Sequence, residues 1–430
     1  MNKLQIAIIG GAVIVVVIAV LILIGALPGL RQRGAGETTL IMWGFEDERP
    51  LVQLTLKYRE INSGVSVAYH KKDLAGFENE MLNALASGES PDVIVFPSDY
   101  IAKHKDKLSA APSILMTERE IKQNFIDAAS VFLSAKNEVL GIPFYANPLM
   151  LFANSDILTQ NLVALPPKTW DDFLESAVKI TKKDSAGNVT LSGAALGRSL
   201  NIKNAPLTLA ALLLQSGDKI INEKGDPVLG DPLIIGNTTI RPAESSLRFL
   251  ADFANPKKTS QSWAAALPEA KEMFIGGKLA MYLGLLSEFK EIKNKNPHLA
   301  FFPASLPQLK EVVRPVTSGV LYALTVPRAS QKQLAAWEFI KFLTSQESSR
   351  EYADTLETVS VRRDLLPEYK KEAVRSVFAE SVLYLALWPN QDPQKSDEIL
   401  RSLIEDAASG KESLRDSLER ARARLREIKN

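Results

Sequence analysis

The sequence predicts an α/β protein built as two domains and preceded by one membrane-spanning helix. Three observations predict it. Strand-like and helix-like segments alternate along the chain, the pattern of βα units with a mostly parallel sheet. The chain has 430 residues, too many for a single ordinary core. Ile6 to Leu27 carries no charged or strongly polar side chain. That is enough helix for a bilayer core, which needs roughly 20 apolar residues, and more than the roughly 7–15 of a secretory h-region. An uncleaved anchor is therefore expected. Lys3 on one side and Arg31 and Arg33 on the other nearly cancel the positive-inside rule, so orientation rests on the kind of domain the helix carries.

Composition excludes several classes. The 51 basic and 50 acidic residues give a net charge of +1, and no basic face for nucleic acid is visible. Arg420, Arg422, Arg424 and Arg426 alternate with Leu414, Leu418, Ala421, Leu425 and Ile428, which reads as an amphipathic closing helix with a solvated charged side. There is no cysteine, so an N-terminal lipoprotein anchor, disulfides, zinc fingers and iron–sulfur sites are excluded. His70, His104 and His298 are far apart, and neither a metal nor a cofactor is expected.

In chain order, Gly34 to Thr38 is a small, polar linker and Thr39 to Trp43 a strand. Leu51, Leu54, Tyr58 and Ile61 follow at helical spacing, with Asp47, Glu48 and Pro50 suited to a helix start. Val65, Val67 and Tyr69 alternate as a strand. Phe77, Met81, Leu82 and Leu85 mark a helix closed by Gly88. Asp92 to Phe96 is an apolar run typical of a strand covered on both faces. Two strand ends are rich in aromatic and hydrogen-bonding groups: Trp43-Gly44-Phe45-Glu46 and Pro97-Ser98-Asp99-Tyr100. Ligands of open α/β sheets bind beyond such ends. Gly141 to Tyr145 precedes the apolar run Leu149 to Ala153. Thr169 with Asp172 caps a helix whose apolar face holds Trp170, so that tryptophan is read as core. Lys219 to Leu229 reads as a hairpin, Ser318 to Val326 as a strand, and Trp337 as part of a buried helix. Trp263 is left unassigned.

The ordered phrases LIMWGFEDERPLVQL, LASGESPDVIVF, LGIPFYANPLMLFANSDIL, PPKTWDDF, FIGGKLAMYLG and SGVLYALTVPRASQKQLAAWEFIKFLTSQE closely resemble extracellular solute-binding proteins of ABC transporters, in the maltose-binding-like, family 1 sugar-binding group. The resemblance covers nearly all of the chain from about Thr38. It implies a periplasmic-binding-protein fold of two α/β lobes joined by hinge strands, with the ligand between them. By resemblance the crossings fall near Tyr145 to Asn147, Leu306 to Pro315 and Val359 to Arg363. The implied organisation is a short cytoplasmic end at 1–5, an anchor at 6–28 and a linker at 29–38. Lobe I is then 39–146 with 308–360, and lobe II is 147–307 with 361–430.

Sugars offer apolar ring faces to aromatic rings and hydroxyls to carboxylates and amides. Trp43, Glu46, Ser98, Asp99, Tyr145 and Trp388 have suitable chemistry, and the resemblance adds Asn147 and Gly284, the latter in a cleft-lining loop. Leu285 and Leu286 follow where many relatives carry an aromatic residue, so a smaller or less stacked ligand is expected. The implied partners are a carbohydrate-like solute, the transmembrane subunits of an ABC permease, and the bilayer through the N-terminal helix. A monomer is expected, with its binding domain outside the cytoplasm. A ligand-sensing or ligand-presenting protein working with a non-permease partner is the second reading. A glycan-acting hydrolase using two carboxylates is a remote third. There is no Gly-x-Ser-x-Gly elbow, and Gly277-Lys278 lacks the rest of a phosphate loop, so an enzyme is not expected.

Overall fold

The computed structural model describes residues 38–218, 220–222, 226–310, 314–388 and 391–429. The apolar run at 6–27 lies outside them. Among the described residues no helix is long and apolar enough to cross a membrane.

Among the described residues, eleven strands carry the fold. They are β1 (Thr38–Gly44), β2 (Val65–Lys71), β3 (Val93–Pro97), β4 (Ile142–Asn154), β5 (Lys182–Lys183), β6 (Val189–Ala194), β7 (Leu233–Ile235), β8 (Thr238–Ile240), β9 (Leu279–Leu285), β10 (Phe301–Ala304) and β11 (Gly319–Thr325). One sheet runs β2-β1-β3-β11-β4-β9-β6-β5, with β10 also on β4, while β7 and β8 pair separately. The sheet is mixed rather than mostly parallel. β1 is parallel to β2 and β3, and β6 is parallel to β9, as helical crossovers require. β11, β4 and β9 lie antiparallel to their central neighbours. β4 and β11 lie on the chain's passages between the halves of the molecule, so no helical crossover within one half dictates their direction.

Local sequence explains the flanking parts. All five residues of β3 are buried, which is why its sequence does not alternate. The adjoining Asp92 carboxylate is buried but fully engaged. It accepts from the Ile41 N–H at 2.9 Å and the Ser330 hydroxyl at 2.7 Å, and Lys332 Nζ lies 3.1 Å away. Helix Arg49–Ile61 turns Leu51, Leu54 and Tyr58 inward. Helix Phe77–Ser87 ends at Gly88 with φ +78°, the left-handed cap that glycine adopts without strain. Thr169 caps helix Trp170–Ile180. Trp170, Trp263 and Trp337 are all core residues, and their indole N–H groups donate to Gln215, Asn201 and Ser109. The closing helix Leu414–Lys429 buries Leu418, Ala421 and Leu425.

β4 joins the two lobes. Its first part, Ile142 to Pro148, pairs with β11, and its second part, from Leu149, pairs with β9 and β10. Two prolines mark irregular points: Pro143 sits where the β11 register shifts, and Pro148 sits at the change of partner. The return path keeps hydrogen bonds to second-lobe residues until β11 begins. Gln308 is bonded to Lys168 and Trp170, and Thr317 to Tyr384 and Leu149, before Gly319 enters β11. Val361 and Arg363 are still bonded to Ile126 and Asn124 of the first lobe. Helix Ala373–Leu383 then packs on β4 and β10.

At the crossing, the backbones of β4 and β11 nearly touch. A Cβ on Gly319 would lie 2.4 Å from the Asn147 carbonyl oxygen and 2.7 Å from the Pro148 Cα. Neither atom can swing aside as a side chain could. Gly319→Ala is expected to cost about 1–3 kcal/mol by overpacking, read as a lowered melting temperature. An unchanged melting curve would show that the crossing is more plastic than its geometry.

Candidate ligand-binding site

Two small cavities lie where the lobes face each other. The first, about 120 Å³, is lined by Glu46, Tyr145 and Asn147, by Ser287 and Lys290 from the far lobe, and by Glu357. Leu286, Leu356, Phe289 and Phe378 supply its apolar walls. The second, about 80 Å³, is lined by Asp99, Leu207, Gly319, Trp388 and Asp397 among others. Sites for drug-sized ligands span roughly 300–1,000 Å³. Neither cavity has room for an oligosaccharide as the lobes stand.

A stack of tyrosines backs the first cavity through Tyr145. The Tyr145 ring lies 4.6 Å from Tyr322 at an interplanar angle of 21°, with Tyr352 6.3 Å away at the same angle. Tyr322 is close enough to feel the charges of both Asp99 and Glu46. Ring packing thus occupies the tyrosine faces, leaving edges and hydroxyls for a ligand. The Tyr145 hydroxyl is buried without a hydrogen-bond partner, and burial pushes its pKa well up. It is a neutral donor throughout the physiological range.

The two carboxyls have different supports. Burial raises the Glu46 pKa, with Lys71 opposing the rise. Asp99 is half-buried at the wall of the second cavity, and desolvation by the protein around it carries it to about 6 despite a hydrogen bond from Ser98 at 3.4 Å. Asn147 sits at the β4 crossing and holds Ser287. Its amide donates to Ser287 Oγ at 2.9 Å and its carbonyl accepts the Ser287 N–H at 2.9 Å. Lys290 reaches Glu357 at 3.5 Å. Glu357 holds φ at 56°, a left-handed conformation uncommon for a residue with a Cβ.

Of the eight residues singled out from the sequence, Glu46, Tyr145 and Asn147 meet at the first cavity, and Asp99 and Trp388 at the second. Three are placed elsewhere. Trp43 is 9% exposed and packed in the core, and Lys72 Nζ sits 4.0 Å from its ring centroid. The expected cleft-facing platform is therefore already covered. Ser98 is buried and accepts the Leu321 N–H at 3.1 Å, tying β3 to β11. Gly284 lies within β9, opposite Met150, rather than in a loop. A Cβ there would meet the Phe152 and Tyr282 rings at 2.6 Å, so its bareness admits core aromatics. The sequence reading missed Lys290 and Glu357. Lys290 lies one turn into the helix after β9, and Glu357 carries no local signal because glycine is the usual residue at such a helix end.

A two-lobed α/β molecule with a polar, aromatic crevice at the lobe junction has the architecture of a solute-binding protein. The chain belongs to the bacterial extracellular solute-binding protein family, whose model matches residues 45–349. A putative binding protein of Brucella abortus is 21% identical over 338 residues, covering 76% of this chain and 75% of that one. The cyclic alpha-maltosyl-1,6-maltose binding protein of Arthrobacter globiformis superposes with a TM-score of 0.76 at 16% identity, covering 91% of this chain and 99% of that one. The sugar-binding protein of Xanthomonas citri gives 0.75 at 18% identity, covering 91% and 97%. The maltose-binding-like kinship read from the sequence thus stands at the level of family and fold.

Asp99 supplies a pH test. Its folded-state pKa is raised above the ordinary carboxylate value, so the folded protein holds the proton more tightly than the unfolded chain. Its burial is destabilising above pH about 6, and this cost fades as pH falls toward the unfolded value of about 4. Asp99→Asn should raise stability at pH 7 by about 1 kcal/mol and leave it nearly unchanged at pH 4. Denaturant titrations at both values read this directly. An equal shift at both would sink the assignment.

Proposed function

We propose that the protein captures a small solute, a sugar or short oligosaccharide, between its lobes and hands it to an ABC permease. The observation that carries the reading is the convergence of Glu46 and Tyr145 of the first lobe with Ser287 and Lys290 of the second on one crevice, with Asn147 at the crossing between them. Contacts from both sides form only when the lobes are together, so a ligand there stabilises the closed state by differential affinity. Carboxylates and amides suit hydroxyl groups, and the half-buried Trp388 offers ring surface. The sugars named for the similar Arthrobacter and Xanthomonas proteins support the same class. Glu46, Asp99, Tyr145, Asn147 and Trp388 are the proposed ligand contacts. Trp43, Ser98 and Gly284 support them from beneath. Segments 39–146 with 308–360 and 147–307 with 361–430 are the proposed lobes, adjusted at the return by the late entry of Gly319. The apolar run at 6–27 is proposed as an uncleaved anchor holding a monomer at the outer face of the cell membrane. The reading involves binding and release without chemical conversion.

Titration calorimetry with maltose, maltotriose and mannobiose tests capture. At a hundredfold excess over the dissociation constant, a true ligand should raise stability by about 2.7 kcal/mol. Tyr145→Phe should weaken binding by about 1 kcal/mol, one neutral hydrogen bond, with a similar melting temperature. No response to any sugar, with a response to amino acids or peptides, would overturn the ligand class.

The anchor is tested separately by N-terminal sequencing of the membrane-purified protein. An intact start supports the anchor, and a mature start near Gly34 to Thr38 in the soluble fraction shows a cleaved signal.

A further inference from the structure

Away from the cavity linings, one charged cluster joins the two lobes. Helix Ile101–His104 follows β3 in the first lobe. Helix Pro393–Ser409 packs on helices Ala205–Gln215 and Pro242–Asp252 of the second. Between them, Lys103 Nζ lies 2.6 Å from Glu78 Oε1 and 2.8 Å from Asp392 Oδ2. Glu78 is only 5% exposed, and the same oxygen faces His104 Nε2 at 2.7 Å. Asp392 is also buried, and it caps helix Pro393–Ser409 by accepting the Lys395 N–H at 3.2 Å. One ammonium therefore serves a carboxylate in each lobe.

We propose that Lys103 is a positioning residue for ligand capture, a clasp that holds the lobes together by bridging Glu78 of the first lobe and Asp392 of the second. Its purpose, though not its geometry, rests on the capture reading above. Removing one partner of a buried pair leaves an uncompensated charge, which is strongly destabilising. Opening this clasp avoids that penalty. Lys103 keeps Glu78, and Asp392 keeps its cap hydrogen bond and gains water. The clasp can therefore make and break without stranding a charge in either lobe. Burial opposes charging here, but the hydrogen bonds to Asp392 and Glu78 outweigh it and raise the Lys103 pKa, while that of Asp392 is lowered. Both groups are charged at neutral pH. Lys290 with Glu357, another cross-lobe pair, is largely exposed and 3.5 Å apart, and such pairs contribute little, while Arg375 of helix Ala373–Leu383 holds Asp354 and the Thr358 carbonyl beside the last crossing of the chain. Asp392 also follows Trp388 closely in sequence. The clasp thus draws the Trp388 segment toward Asp99, across the second cavity.

The cysteine-free chain allows clean labelling. Ile114→Cys in the first lobe and Leu200→Cys in the second replace residues 85% and 76% exposed. Single-molecule energy transfer between dyes at these positions, on the full chain without sugar, reads the closed fraction. A closed fraction is expected in the labelled parent. Lys103→Met should lower it about tenfold, the scale of one partly buried pair, and Lys103→Arg should restore most of it. Asp392→Asn keeps a good cap acceptor while removing the charge, so it should match Lys103→Met, and the double variant should add nothing further. No closed fraction in the parent would overturn the clasp. So would equal closed fractions in parent and Lys103→Met, or a loss in Lys103→Met that Asp392→Asn does not share. Adding maltotriose to the labelled parent tests capture independently. A closed fraction indifferent to sugar counts against the ligand class and leaves the clasp result as it stands.

Discussion

The sharing of β4 between two lobes is the constraint on which the rest of the structure depends. A strand is stiff along its hydrogen-bonded ladder. This one changes partners between Pro148 and Leu149, at a residue with no N–H to donate. The lobes are thus joined by a continuous element with one weak point. Everything placed around that point inherits its geometry. Asn147 and Tyr145 lie just before it, Gly319 lies opposite, and the Thr317 hydroxyl donates to the Leu149 carbonyl at 2.6 Å. A small rotation about this point alters the distance between Glu46 and Ser287, or between Asp99 and Trp388, far more than it alters either core.

The crevice is built to be rigid on one side. Tyr145, Tyr322 and Tyr352 pack face to face within the first lobe, so the rings hold one another's hydroxyl edges in fixed positions. Fixed donors lose little conformational freedom on binding. The opposite wall is more adjustable. Ser287 and Lys290 come from a loop and the first turn of a helix. Facing Lys290, Glu357 of the first lobe is held in a conformation that costs roughly 1–3 kcal/mol. Its neighbours supply a helix-end turn, with the Glu357 N–H donating to Asp354 and the Thr358 N–H to Ala353. Strain retained at a crevice rim fits a residue kept for its side chain rather than its backbone.

How far the sequence could be read depended on whether a signal was local. The helices bearing Trp170 and Trp337 were legible because an amphipathic period places a large apolar residue inside without knowledge of the partner surface. The β3 run was legible because burial on both faces removes alternation. β4 was half legible. Pro143 and Pro148 split it into two apparent segments, since a proline argues against a central strand until its bulge is seen. The parallel sheet was over-read, because a strand that crosses between lobes carries the same apolar pattern as one that follows a helix. Among the candidate site residues, Glu46 and Asp99 were singled out from their place after strands. Trp43 sits on the same strand end, but what decides its role is Lys72, brought over its ring by the pairing of β1 with β2. Nothing local to Trp43 reports that neighbour.

The distribution of tryptophans has an optical consequence. Trp43, Trp170, Trp263 and Trp337 are sealed within single lobes, and only Trp388 stands half-buried at the junction. Indole emission follows the polarity around the ring. Four of the five chromophores keep the same surroundings whether the lobes are apart or together, and form a constant background. Any spectral displacement that accompanies closure then originates from a single reporter. The molecule carries its own gauge of lobe position, readable in a fluorimeter without an added dye.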